Sequence, residues 1–189
     1  MSALPAQAES RHELDVKVML LSGKFDTYTS LGQKQPISPP IYHNDLATGI
    51  TYGYHWGALP LTLSVGLYWV PIITGSQGNV SVSVGNKIFL LFPLHLTYKL
   101  VAANFEPYAY VGNISNYISI PLFGPSSGGF SPFSPNAGIG CTYYFHPNLG
   151  LNIDLGLAFL AINGSSGSGG AATFSGYTYT LGMGMSGRL

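Results

Sequence analysis

The sequence predicts an all-β chain: an eight-stranded antiparallel transmembrane β-barrel with short turns at one end and long loops at the other. Three observations carry that reading. Alternation of apolar and small residues recurs from end to end, the connections alternate short and long, and only 7% of residues are Asp, Glu, Lys or Arg. Ordinary soluble domains carry roughly 25%. Residues 46–69, LATGITYGYHWGALPLTLSVGLYW, show the alternation most plainly. Leu46, Thr48, Ile50, Tyr52, Tyr54 and Trp56 share one face of the first run, while Ala47, Gly49, Thr51, Gly53 and His55 share the other. A soluble strand also has one apolar face, but its second face is charged to meet water. Here the second face is small and nearly uncharged.

Taken in order, the first strand spans residues 12–26, with Leu14, Val16, Val18 and Leu20 on one face and Glu13, Asp15 and Lys17 on the other. The pair at 46–56 and 59–70 follows, the second showing Leu61, Leu63, Val65, Leu67 and Trp69 in phase. A fourth strand over 86–100 sets Ile88, Leu90, Phe92, Leu94, Leu96 and Tyr98 against Lys87, His95, Thr97 and Lys99, with Pro93 expected to mark a bulge. A fifth begins at EPYAYVGNI, with Tyr108, Tyr110 and Ile114 in a weaker pattern. The sixth and seventh, 136–145 and 149–161, are joined by HPN, and the eighth runs from Phe174 to the end. Stretches rich in Gly, Ser, Pro and Asn at 27–44, 71–86, 118–135 and 162–173 are the long loops. In bacterial barrels short turns face the periplasm and long loops the exterior.

Charge parity tests the phasing, because an ion on the lipid face near the midplane costs about 2–4 kcal/mol. Glu13, Asp15, Lys17, Lys87, Lys99, Asp154 and Arg188 all take the inner face, and Lys24, Asp26 and Asp45 take outer parity where strands meet long loops. Aromatics fall into two girdles: Tyr54, Trp56, Tyr98, Tyr108, Tyr143 and Phe145 at the short-turn end, and Trp69, Phe159 and Tyr177 at the long-loop end. At about 3.3 Å per residue and a tilt of about 45°, Leu61 to Trp69 covers most of a band roughly 25 Å tall. A lipocalin-like barrel or β-sandwich would turn the apolar face inward and leave Gly, Ser and Thr as a nearly chargeless surface.

Composition excludes several classes. Seven basic and seven acidic residues give a net charge of +0, so nothing favours nucleic acid. The single cysteine, Cys141, excludes an internal disulfide and reads as a small packing hydrophobe. The longest apolar run, IFLLFPLHL at 88–96, is too short for a membrane helix. Ala6-Gln7-Ala8 has the pattern of a signal-peptidase site, so residues 1–8 read as a signal remnant or flexible leader and 9–189 as one barrel domain.

The chain resembles the small outer-membrane β-barrel proteins of Gram-negative bacteria, of the OmpA, OmpX and OmpW type. NAGIGCTYYFHPNLGLNIDLGLAF at 136–159 is similar to their penultimate hairpin, and FEPYAYVGN at 105–113 supports the match. The resemblance spans residues 12–189, implies the bacterial outer membrane and brings no catalytic motif. Members usually end in an aromatic residue, whereas this sequence ends Arg188-Leu189.

Chemistry is sparse. GMGMSG at 182–187 fits GxGxxG without a following helix, and His12-Glu13 begins HExxH but meets Val16 where the second histidine belongs. No catalytic, cofactor or metal residue is assigned. The best cluster is the inner polar set Glu13, Asp15, Lys17, His95, Asp154 and Arg188, which must pair because an eight-stranded interior is filled by side chains. Antiparallel first and last strands bring Arg188 towards Glu13 or Asp15, and Lys17 and Asp154 are candidates for contact across the lumen. In the 118–135 loop, Phe123, Phe130 and Phe133 suit a protein partner or a fold over the barrel mouth. The expected role is a membrane anchor or surface-interaction protein, with a narrow channel for small or hydrophobic solutes as the alternative. A lipid-modifying enzyme is disfavoured, since no His-x-Ser pair occurs and the candidate nucleophiles are loop serines.

Overall fold

The computed structural model describes residues 12–56, 59–71, 74–77, 80–83, 88–100, 104–119, 129–131, 133–165 and 171–189. The leader at 1–8, Lys87 and Phe123 lie outside them. In chain order the strands are β1 (His12–Ser30), β2 (Gln33–His55), β3 (Leu61–Val70), β4 (Thr74–Gln77), β5 (Val80–Ser83), β6 (Ile88–Lys99), β7 (Phe105–Ser119), β8 (Gly129–Ser131), β9 (Pro135–His146), β10 (Leu149–Ser165) and β11 (Ala171–Arg188). Eight of them, β1-β2-β3-β6-β7-β9-β10-β11, pair antiparallel in that order, and β11 closes onto β1. Closure leaves no open sheet edge in hydrocarbon, where an unpaired amide has no water to turn to.

The register fixes the barrel's size. Following partners round from Glu13 through Gly53, Ser64, His95, Gly112, Asn136, Ala158 and Thr178 returns to β1 at Gly23, ten residues further on. For eight strands that shear sets a tilt of about 40°. An interior of this width is filled by side chains rather than by an open pore.

Outward-facing positions carry exposed apolar residues, among them Val16, Ile50, Val65, Leu94, Val111, Ile139, Leu155 and Met183. The short-turn girdle contains exposed Trp56, Tyr98, Tyr143 and Phe145, with Tyr54 edge-on to Trp56 at 6.2 Å. At the other end Trp69 and Tyr177 are exposed, and Phe159 meets Tyr177 at 5.4 Å. Tyr108 does not belong to the girdle: it faces the lumen, because β7 is phased with Ala109 and Val111 outward.

Three other expectations change. The 27–44 stretch is largely strand, with β1 and β2 continuing to a two-residue turn at Leu31 (φ 50) and Gly32 (φ 77). Its prolines mislead because β3 pairs with β2 only from Thr48 to His55, while Pro39 and Pro40 fall in the irregular step between Pro36 and Ile41. Short β-structure also occupies the next two loop stretches: β4 pairs with β5, and β8 with β7. Pro93 makes no bulge. The β3–β6 register is the same on both sides of it, and the ladder simply skips Gly66 and Leu67. Gly66 makes room, since a Cβ there would lie 2.9 Å from Pro93 Cγ.

Candidate functional site

The lumen has two halves of different chemistry. Towards the long-loop end, Leu21, Phe25, Ile41, Val70, Leu91, Leu160, Ile162 and Phe174 are fully buried and form one apolar cluster. Each sits at inward parity, and pairs such as Leu21 with Phe25 and Leu160 with Ile162 on one strand spread the cluster over more than one layer of the lumen. Towards the short-turn end, inward positions carry charges and tyrosines around a cavity of ≈ 60 Å³, space for a few waters.

Three cations organise that lower half. Lys17 Nζ donates to Asp154 Oδ2 at 3.0 Å and lies 3.7 Å from Asp15 Oδ2. Lys99 pairs with Glu13, which also accepts the Tyr144 hydroxyl at 2.9 Å. Arg188 pairs with Glu106, its guanidinium carbon 3.6 Å from the Tyr144 ring centroid. Ser186 bridges the remaining carboxylate, donating to Asp15 while accepting from Asn152 Nδ2 at 2.9 Å. Buried ions need this satisfaction, because removing them from water costs several kcal/mol each.

Arg188 therefore does not pair with Glu13 or Asp15. Glu13 and Arg188 are backbone neighbours, yet Lys99 takes the first side chain, while Tyr144 and Glu106 draw the second across the lumen. His95 faces inward, stacked on Tyr110 at 4.6 Å and 2.8 Å from Asn136 Nδ2. It makes no contact with Asp154 among the described interactions. Phe130 lies in β8, and Phe133 is exposed.

The largest correction concerns Asp45. It faces inward, 4% exposed, with its Oδ2 2.7 Å from His43 Nδ1; His43 Nε2 lies 3.1 Å from Thr178 Oγ1. Asp45 shares parity with Ala47, Gly49 and Thr51, and that parity was the available signal. Lys24 and Asp26 sit at the upper end of β1, 3.8 Å apart and partly exposed. Sequence reasoning also missed Glu106 and the lumen ring Tyr68, Tyr108, Tyr110 and Tyr144. Had Glu106 been required to face inward, the same parity would have carried Tyr108 and Tyr110 with it. Glycines make those rings possible: side chains at Gly138 or Gly156 would collide with Tyr110, and one at Gly140 with Tyr108.

A closed ring, apolar outside and ion-paired inside, matches what comparison finds. The family model described as "Outer membrane protein beta-barrel domain" matches residues 1–186. This chain belongs to that outer-membrane β-barrel family. No curated protein matches it significantly. Among solved structures, Neisserial surface protein A is similar with a TM-score of 0.57 at 14% identity, over 93% of this chain and 97% of that one. OprG of Pseudomonas aeruginosa gives 0.57 at 12% identity, over 97% and 99%. Identities this low speak to fold alone. The barrel resides in the bacterial outer membrane, with its short turns periplasmic.

Proposed function

We propose that this outer-membrane barrel is an anchor and surface-interaction protein, presenting its extracellular β-structure to a partner while its lumen stays closed. The observation that carries the reading is the filled interior: fully buried Phe25, Ile41, Leu91, Ile162 and Phe174 lie above a layer of mutually satisfied ion pairs. Exposed features at the other side of that plug supply the working surface. Leu31, at the β1–β2 turn, is 99% exposed, and Tyr42 and Phe133 are also exposed. Apolar groups displayed on a membrane-tethered scaffold suit protein contact.

The polar cavity in the lower half favours one alternative, a narrow channel. Planar-bilayer recording of the refolded protein separates the two, with the heat-modifiable gel shift as the check on folding. A folded, silent barrel supports the anchor. Steady discrete openings that change on Lys17→Met or Asp154→Asn would replace it with the channel. For the surface role, Leu31→Ser with Phe133→Ser should weaken partner capture and leave barrel stability unchanged; unaltered capture counts against it.

An enzymatic role has less support. Asp45, His43 and Thr178 follow the order acid, base, hydroxyl, but all three are buried and the Phe25 ring stacks on His43 at 4.8 Å. A substrate would need the hydroxyl exposed.

A further inference from the structure

We propose that the outer wall over β7 and β9 holds one acyl chain of a periplasmic-leaflet phospholipid in a preformed groove. Register places two rows of outward side chains there. One runs Tyr98, Ala109, Ile139, Leu155, and the other runs Leu100, Pro107, Cys141, Ile153. Large side chains stand at both ends of each row; between them Ala109, Pro107 and Cys141 are small or compact, and exposed Ile139 rises beside them on β9. The result is a trough of ≈ 500 Å³ bounded by Tyr98 and Leu100 on one side and Ile153 and Leu155 on the other. Its volume falls within the range that takes a small apolar ligand.

The floor is held from within. Gly140 has no side chain, and the Tyr108 ring packs against that bare backbone: a Cβ at Gly140 would lie 2.5 Å from Tyr108 Cζ. A trough whose floor is fixed by sheet and lumen costs an occupant little reorganisation.

Its position selects the occupant. No charged side chain faces outward among its lining residues, so a water-soluble ligand finds no polar anchor. The trough is continuous with the apolar surface that meets the bilayer, and Tyr98 and Leu100 place it beside the short β6–β7 connection, at the periplasmic leaflet. That leaves a hydrocarbon chain from the surrounding lipid, seated in the concavity with its headgroup at the girdle.

The test is native mass spectrometry of the full chain purified from outer membranes in mild detergent, with folding checked by the gel shift. Wild type and Val65→Leu, altered on another wall, should retain a phospholipid, and Ala109→Leu should weaken retention about tenfold. Ala109→Val gives the same test if the leucine variant fails to fold. Equal retention in all folded variants overturns the proposal. So does wild type carrying no lipid. A dimer in place of bound lipid, lost in Ala109→Leu, overturns it in favour of a second copy of this chain.

Discussion

Lys17 and Asp154 lie 137 residues apart in the chain and 3.0 Å apart across the lumen. The contact needs β1 and β10 on either side of β11 with inward parity for both residues, so it depends on the pairing of the first and last strands as well as on the last hairpin. Asp15 shares the same ammonium at 3.7 Å, which makes Lys17 the counter-ion of two carboxylates.

Lys17→Met is therefore expected to destabilise by about 3–5 kcal/mol, since it strands charge in a side-chain-filled interior. Urea unfolding in detergent, read by the gel shift, measures it. Lys17→Met combined with Asp154→Leu should recover part of the loss, because both members of one buried pair are then apolar while Asp15, its ammonium gone, keeps only the Ser186 hydrogen bond. A double variant as unstable as the sum of the singles would contradict the pairing.

Gly66 and Pro93 form a second cross-strand fit. Pro93 cannot donate to the ladder, and its ring occupies the space a Cβ at Gly66 would need. Gly66→Ala should cost about 1–3 kcal/mol through overpacking. Adding Pro93→Ala should return part of it, and strict additivity would show that the two do not touch.

How much of this was legible in sequence depends on whether a position's parity could be read without its partner. Leu14 to Leu20 and Leu61 to Trp69 have large apolar residues against charged or small ones, so period two fixed face and strand together. In β7 the larger residues, Tyr108 and Tyr110, face the lumen, and only Glu106 betrays the true phase. Side-chain pairing was less accessible. Arg188 was expected at Glu13 or Asp15 because adjacent strands place it there, and no local pattern indicates that Lys99 and Tyr144 redirect the choice. The upper half of β2 was hidden by Pro36, Pro39 and Pro40, which look like breakers unless it is known that β3 pairs with β2 only from Thr48 onwards among the described residues.

The lipid-facing assignment makes a graded prediction. Val65 lies midway along β3 and is exposed, so Val65→Arg should cost about 2–4 kcal/mol in bilayers. Tyr42→Arg, towards the extracellular end of β2, should cost about 0–1 kcal/mol. Unfolding titrations in phosphatidylcholine vesicles compare them. Equal penalties would mean that Val65 does not sit near the midplane.

The upper wall between β7 and β10 depends on a polar clasp. β9 pairs with β10 only as far as Asn136 opposite Ala158, although β10 continues to Ser165. Above that point Asn116 Nδ2 donates to the Ala161 carbonyl at 2.8 Å, and the Ala161 N–H donates to Ser134 Oγ at 3.3 Å. Ser134 is tied back to β7, its own N–H donating to Asn113 Oδ1 at 2.7 Å. Both Asn116 and Ser134 are fully buried, so water cannot readily replace them. Asn116→Ala should leave the Ala161 carbonyl unpaired and cost about 1–3 kcal/mol. Because the lower barrel keeps its ladders and ion pairs, the damage should be local: amide exchange should accelerate at Leu160 to Ile162 and stay slow at Leu151 to Leu155. Uniform acceleration would show that the clasp supports the whole barrel, and unchanged exchange that the upper wall closes without it.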